Sequence, residues 1–364
     1  MADVSTQLPK TMKAIMCHGP EDYRLEERLV PTPGNGEVLI RVQSTGICAS
    51  DIKCYLGAPL FWGDANRSGY CQAPVTPGHE FVGEVVAFGE GAAGKYRLKL
   101  GDHAISEQIT PCWSCRYCER GQYWMCQIHD IYGFRQKAFG SWAEYMLFPA
   151  NAINYRVPKN LPTHHAAFIE PLACSIHAVE RGDIQYQDTV VIAGCGPLGL
   201  GMIAAAKMKG PEKLIALDLS DDRLAIAQKT GADLGFNPSK VDVVDEVLRL
   251  TDGYGCDVYI EATGHPAAVE QGLHMIRKLG TFVEFSVMRE PVTVDWTIIG
   301  DSKELNIHGA HLGPHCYPVA IRMLQEGRLP MDDIVTHRMP LDNYQEGLDL
   351  VASGASSVKV ILEP

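Results

Sequence analysis

The 364-residue chain lacks any run of about 18 consecutive apolar residues, the length a membrane-spanning helix needs, so no segment is read as crossing a bilayer. Met1 to Met16 likewise lacks an apolar run long enough for a secretory leader. Low-complexity stretches and internal repeats are missing too, and Gly and Pro are scattered, which excludes a long flexible tail or a repeat array. Positive charge is in short supply: 32 Lys and Arg against 44 Asp and Glu leave a formal net charge of −12. That balance repels polyanions and argues against nucleic acid as a partner. A cytoplasmic protein acting on a small molecule is therefore expected, with any phosphate-bearing ligand held by local structure.

The chain has enough apolar material, 46% of 364 residues, for two cores. From Lys13 to about Ala150, short β-rich runs such as Glu37 to Gln43 and Phe81 to Phe88 are broken by Gly and Pro. This predicts a mostly antiparallel, barrel-like domain. From Ile169 the rhythm alternates: β runs at Thr189 to Ala193, Lys213 to Asp218, Asp257 to Glu261 and Thr281 to Phe285 are separated by helical periodicity at Leu198 to Lys209 and Pro266 to Leu279. Such alternation predicts an α/β fold with a doubly wound parallel sheet. Beyond His311 come a helix, Tyr317 to Glu326, and a last strand, Val358 to Leu362, predicted to pack back onto the first domain. The expected domains are 1–168 with 312–364, and 169–311.

Three motifs carry chemistry. Cys112, Cys115, Cys118 and Cys126 follow the spacing C-x2-C-x2-C-x7-C. Four thiolates so close can fill a tetrahedral zinc shell and leave no open position, as in a structural site; the spacing fits neither ferredoxin pattern of an iron–sulfur cluster. In a reducing compartment such a cluster speaks for metal rather than disulfides. The second constellation sets Cys48 and Asp51, in Gly46-Ile47-Cys48-Ala49-Ser50-Asp51, beside His79 and Glu80, in Pro77-Gly78-His79-Glu80. Cysteine and histidine suit zinc, and a catalytic zinc needs about three protein ligands and one open position. Either Glu80 or Glu170, in Ile169-Glu170-Pro171-Leu172, can supply the third ligand. The third motif is Gly194-Cys195-Gly196-Pro197-Leu198-Gly199, directly after one predicted strand and opening a helix. Asp218 ends the next strand about 20 residues on, where a carboxylate can bind a ribose 2′-OH while the helix N-terminus holds the pyrophosphate. Asp218 repels a 2′-phosphate, which favours NAD over NADP; Arg223 either helps bind a phosphate or covers the adenine.

Taken together and in this order, the motifs resemble those of the zinc-containing medium-chain alcohol dehydrogenases over essentially the whole chain. The resemblance implies a GroES-like β-rich catalytic domain, a Rossmann domain, two zinc ions per chain, NAD and a homodimer or homotetramer. By it, Cys48 and His79 look like catalytic zinc ligands, Ser50 like the hydroxyl that relays the substrate proton, and Asp51 like the residue that orients His79. Gly194, Gly196, Pro197, Leu198, Gly199 and Asp218 look like NAD contacts. The Glu170-Pro171 pair, where alcohol dehydrogenases proper carry a cysteine, is similar to the polyol dehydrogenase branch, in which both glutamates share the zinc, directly or through water. Cys174 stands four residues too late for that position and is read as packing, as is His177. The segment Phe61 to Arg67, with Tyr254 to Gly264 and His311 to Pro314, narrows the likeness to dehydrogenases of four-carbon sugar alcohols, erythritol and threitol, which yield erythrulose. Trp62 and Asp64 in that segment are candidates for substrate contact. Rival readings are dehydrogenation of sorbitol, 2,3-butanediol or threonine, and a zinc- and nucleotide-binding protein without catalysis.

Overall fold

The computed structural model describes residues 8–288, 290–354 and 356–364; the first seven residues, counted within the expected first domain and the leader reading, lie outside them. The chain divides into two compact units, Met1–Glu170 with Val335–Pro364, and Pro171–Ile334. Among the described residues no helix is long and apolar enough to cross a membrane.

The first unit is built on a seven-stranded sheet. Strands Val38–Gly46 and Glu80–Phe88 pair antiparallel at its centre, with Gly46 opposite Glu80. The final strand, Lys359–Glu363, joins the other edge of Val38–Gly46 and places Ile361 opposite the same Gly46. Consecutive residues such as Phe81 and Val82 are both buried, as are Leu39 and Val360, so the central strands are covered on both faces here. The C-terminal end of one central strand and the N-terminal start of the other meet where Cys48 and His79 follow or flank them.

The second unit holds a six-stranded parallel sheet in the order Leu234–Phe236, Lys213–Leu217, Thr189–Ala193, Cys256–Glu261, Ile276–Glu284, Asn306–Gly309. Thr189–Ala193 is buried along its whole length, as a strand covered on both faces must be. The chain steps outward from it first to one side and then to the other, so a ligand crevice opens at its C-terminal end, where the glycine turn begins.

Two expectations need correction. Helical periodicity carried the predicted helix to Leu279, but it ends at Met275 and the strand starts at Ile276. Pairing of Ile276 with Cys256 draws the chain into the sheet there, and pairing resumes at Thr281; sheet pairing outweighs a weak helical preference. The return to the first unit was placed at residue 312, yet residues 312–334 cluster with the second. Gly313 lies so close to the helix Ile169–Arg181 that a Cβ there would sit 2.4 Å from the Ala173 carbonyl carbon, and Cys316 Sγ is 3.8 Å from Glu180 Oε2. The helix Tyr317–Gln325 thus belongs to the second unit, and only Val335–Pro364 to the first.

Candidate active site and metal centres

Cys48 is the N-cap of the short helix Ala49–Tyr55. Asp51, at the third helical position, accepts the Cys48 backbone N–H through Oδ2 at 2.9 Å, which fixes the entry of the chain into the helix. Its other oxygen, Oδ1, stands 3.5 Å from His79 Nδ1. One fully buried carboxylate therefore positions both the thiol-bearing backbone and the imidazole. Burial pushes the Asp51 carboxyl up, against the opposing pull of His79 and the Cys48 amide. With Nδ1 facing Asp51, His79 turns Nε2 toward Ser50 Oγ at 3.4 Å. Phe134 packs on the imidazole with ring centroids 5.4 Å apart, and Phe61 stacks on Phe134 at 5.0 Å. Burial works against the His79 charge, but Asp51, Cys48 and Glu170 outweigh it and hold its pKa well above the ordinary range.

Ligand atoms of Cys48, His79 and Glu80 all lie within 4.8 Å of one another. A soft thiol, an imidazole oriented by a carboxylate and a buried carboxylate form a donor set that fits zinc with a position to spare. Glu170, in the first turn of its helix and 4% exposed, accepts a hydrogen bond from the Gln108 amide through Oε1. Glu80 is ion-paired through Oε2 with Lys359. Neither tether was foreseen: Gln108 carries no motif, and the only sign of Lys359 was a lysine set in an otherwise apolar terminal strand.

In the cysteine lobe, ligand atoms of Cys112, Cys115, Cys118 and Cys126 also lie within 4.8 Å of one another. Cys115 and Cys118 sulfurs are 3.6 Å apart, Cys112 N–H points at Cys126 Sγ at 3.4 Å, and Gln127 N–H at Cys115 Sγ at 3.4 Å. The Gln127 and Cys118 amides draw the Cys115 thiol down to about 6, toward the thiolate that metal binding requires. Under the lobe, Glu107, 1% exposed, accepts from the Tyr123 and Tyr155 hydroxyls at 2.9 and 2.7 Å; burial pushes its carboxyl up to about 7.

In the second unit, Gly196 caps the helix Pro197–Lys209, whose proline at the first position needs no amide partner. A Cβ on Gly196 would meet nothing within 4 Å, whereas one on Gly199 would lie 1.8 Å from the Gly194 carbonyl oxygen. The first glycine keeps open space over free amides and the last lets helix and turn close, an arrangement fitted to a pyrophosphate. Asp218 holds the turn: Oδ2 accepts Cys195 N–H at 2.7 Å and Oδ1 accepts Ser220 N–H at 2.8 Å. Arg223 follows in the next helix, its N–H 3.4 Å from Ser220 Oγ, near enough to Cys195 to act on its thiol.

The segment from Phe61 leads into a small hairpin, Gly63–Asp64 against Arg67–Ser68. Asp64 Oδ1 accepts the Asn66 and Arg67 amides at 2.7 and 3.0 Å, and Oδ2 is 3.3 Å from Arg67 Nε. Trp62 donates its indole N–H to the Cys54 carbonyl at 2.6 Å, which ties the hairpin to the helix that carries Ser50 and Asp51.

Residues 34–159 match the alcohol dehydrogenase GroES-like domain family, and residues 197–326 the zinc-binding dehydrogenase family. Over 99% of this chain and 100% of the relative, the sequence is 56% identical to an erythritol/L-threitol dehydrogenase of Mycolicibacterium smegmatis. It is 38% identical to an L-threonine 3-dehydrogenase of Pyrococcus horikoshii over 99% of both. A structure from Escherichia coli CFT073, a short chain alcohol dehydrogenase complexed with NADH, superposes with a TM-score of 0.85 at 27% identity, covering 98% of this chain and 100% of that one.

Proposed function

Because the chain belongs to the zinc-binding alcohol dehydrogenases, a GroES-like domain followed by a Rossmann domain, we propose that it oxidises a secondary hydroxyl of a four-carbon sugar alcohol, erythritol or threitol, to the ketose with NAD. The carrying observation is the convergence of Cys48, His79 and Glu80 within 4.8 Å beside the Ser50 hydroxyl. Zinc held there would act as a Lewis acid, drawing the pKa of an alcohol oxygen down toward about 7, as it does for water. Ser50 Oγ takes up the hydroxyl proton and passes it outward, and Asp51 keeps His79 in the tautomer whose Nε2 is free to ligate. NAD held at the Gly194 to Gly199 turn would supply the hydride acceptor, so that one alcohol and one NAD+ would give one ketone, one NADH and one proton. Asp218 receives the adenosine ribose and disfavours a 2′-phosphate, which makes NAD rather than NADP the partner.

Trp62 forms a wall beside the substrate, and Asp64 contributes by clasping the hairpin that directly follows it. Trp62→Ala lowers kcat/KM for the polyol, and an unchanged value removes it from the site. The protein works in the cytoplasm as a homo-oligomer of two or four copies, which light scattering of the purified chain tests. Activity is tested by following NADH with erythritol, L-threitol, D-threitol, sorbitol, 2,3-butanediol and threonine, with and without a chelator. Fastest chelator-sensitive turnover on a four-carbon polyol is expected. Faster turnover on threonine, the substrate in the name of the Pyrococcus relative, overturns the substrate and keeps the chemistry. No turnover on any compound speaks for a binding protein.

A further inference from the structure

Lys359 is 2% exposed, and no other lysine or arginine among the described residues is buried. Removing an ammonium from water is costly unless a partner answers it. Its partners are specific: Nζ contacts Glu80 Oε2 and donates to the Ile47 carbonyl at 3.0 Å. Room for the pair is made by Gly46, where a Cβ would lie 1.9 Å from Glu80 Oε2 and 2.9 Å from Lys359 Cε. The second carboxylate near this site, Glu170, accepts from the Gln108 amide. Glu80, inside the Cys48 and His79 cluster, is thus paired with a buried ammonium.

We propose that Lys359 is a positioning residue that competes with the metal for the Glu80 carboxylate and so makes Glu80 a weak, exchangeable zinc ligand. A carboxylate already paired with an ammonium donates less to a metal. Freed of that partner, it would hold the ion more firmly and exchange more slowly. This inference rests on the proposed assignment of Cys48, His79 and Glu80 to zinc.

The test uses zinc-loaded wild type, Lys359→Met, Lys359→Arg, Glu80→Gln and the double variant K359M/E80Q. Zinc transfer to a chromogenic chelator is timed, and the phase lost in Cys48→Ser is assigned to this site. In Lys359→Met that phase slows by about tenfold, the scale on which partners of metal ligands act, and the visible absorption band of the cobalt-substituted protein shifts. Lys359→Arg behaves as wild type. A lysine with only a structural role predicts the opposite sign, because loosening the packing speeds release. Release from Lys359→Met at the wild-type rate or faster, with an unshifted cobalt band, overturns the proposal. If Lys359→Met does not fold, the comparison of Glu80→Gln with K359M/E80Q decides. Without a carboxylate to restrain, the two release zinc equally, and a difference beyond about twofold, the scatter of independent sites, also overturns it. If wild type shows no Cys48-dependent phase, the zinc assignment fails; if the phase is present and Lys359→Met does not slow it, only this inference fails.

Discussion

Asp51→Asn removes one charge and changes almost no volume, yet it strikes both ligands that the helix Ala49–Tyr55 organises. In the wild type, Oδ2 accepts the Cys48 N–H at 2.9 Å and Oδ1 faces His79 Nδ1 at 3.5 Å. An asparagine has one oxygen and one NH2 for these two places. If its oxygen stays with Cys48, the NH2 faces Nδ1, forces that nitrogen to accept, and moves the ring proton to Nε2, where it blocks ligation. If the amide flips, the NH2 confronts the Cys48 N–H and leaves a buried donor unsatisfied, at about 1–3 kcal/mol. Either way, metal affinity falls by about 10–100-fold, or roughly 1.4–2.7 kcal/mol. The assay is competition between protein and a chelator of known affinity, read beside kcat/KM for the polyol. Folding is checked by thermal unfolding of the metal-free protein. Retention of metal within about twofold of wild type, in a folded variant, refutes the claim that this carboxylate sets the imidazole tautomer.

Gly196→Ala keeps the melting temperature but weakens NAD, because its Cβ enters space the protein leaves empty. Gly199→Ala loses stability first, its Cβ being 1.8 Å from the Gly194 carbonyl oxygen; similar melting temperatures for the two would count against the close-packing argument. Asp218→Ala removes a charged hydrogen-bond partner worth about 1.5–3 kcal/mol. It raises KM for NAD by roughly ten- to a hundredfold, and an unchanged KM removes Asp218 from the ribose site. Glu107 gives a pH dependence of definite sign. Its folded pKa is raised from 4.5 to about 7 by burial, so the folded state holds the proton more tightly than the unfolded chain. The stabilising contribution is full below about pH 4.5 and is lost as pH rises through 7, by at most roughly 3 kcal/mol. Glu107→Gln flattens that slope between pH 5 and 8 in chemical denaturation, and a parallel slope in both proteins shows another group to be responsible.

The parts legible in the sequence are those in which function is encoded by local spacing. The thiols of Cys112, Cys115, Cys118 and Cys126 converge because 15 consecutive residues carry them, and the glycine turn follows its strand directly. The position of Asp218 was readable because a βαβ unit fixes the distance between strand ends. Helix length failed at Ile276, where the deciding partner, Cys256, lies 20 residues earlier. The domain return failed at residue 312, where the deciding contact is Gly313 against Ala173, invisible to any local window.

The same distinction explains why Lys359 and Gln108 escaped notice while Glu80 and Glu170 did not. A ligand is recognised by its type and its neighbours in sequence, but the group that restrains it need only be opposite in space. Lys359 reaches Glu80 through two sheet pairings that share Gly46, one to Glu80 and one to Ile361, across 279 positions, as the residue numbers give. That register, rather than any motif, sets a cation against Glu80. A chain keeping both glutamates but carrying an apolar residue at 359 would present the same motif with a differently balanced metal position. Motif identity marks the side chains able to take a metal, whereas the partner that restrains Glu80 is set by sheet register.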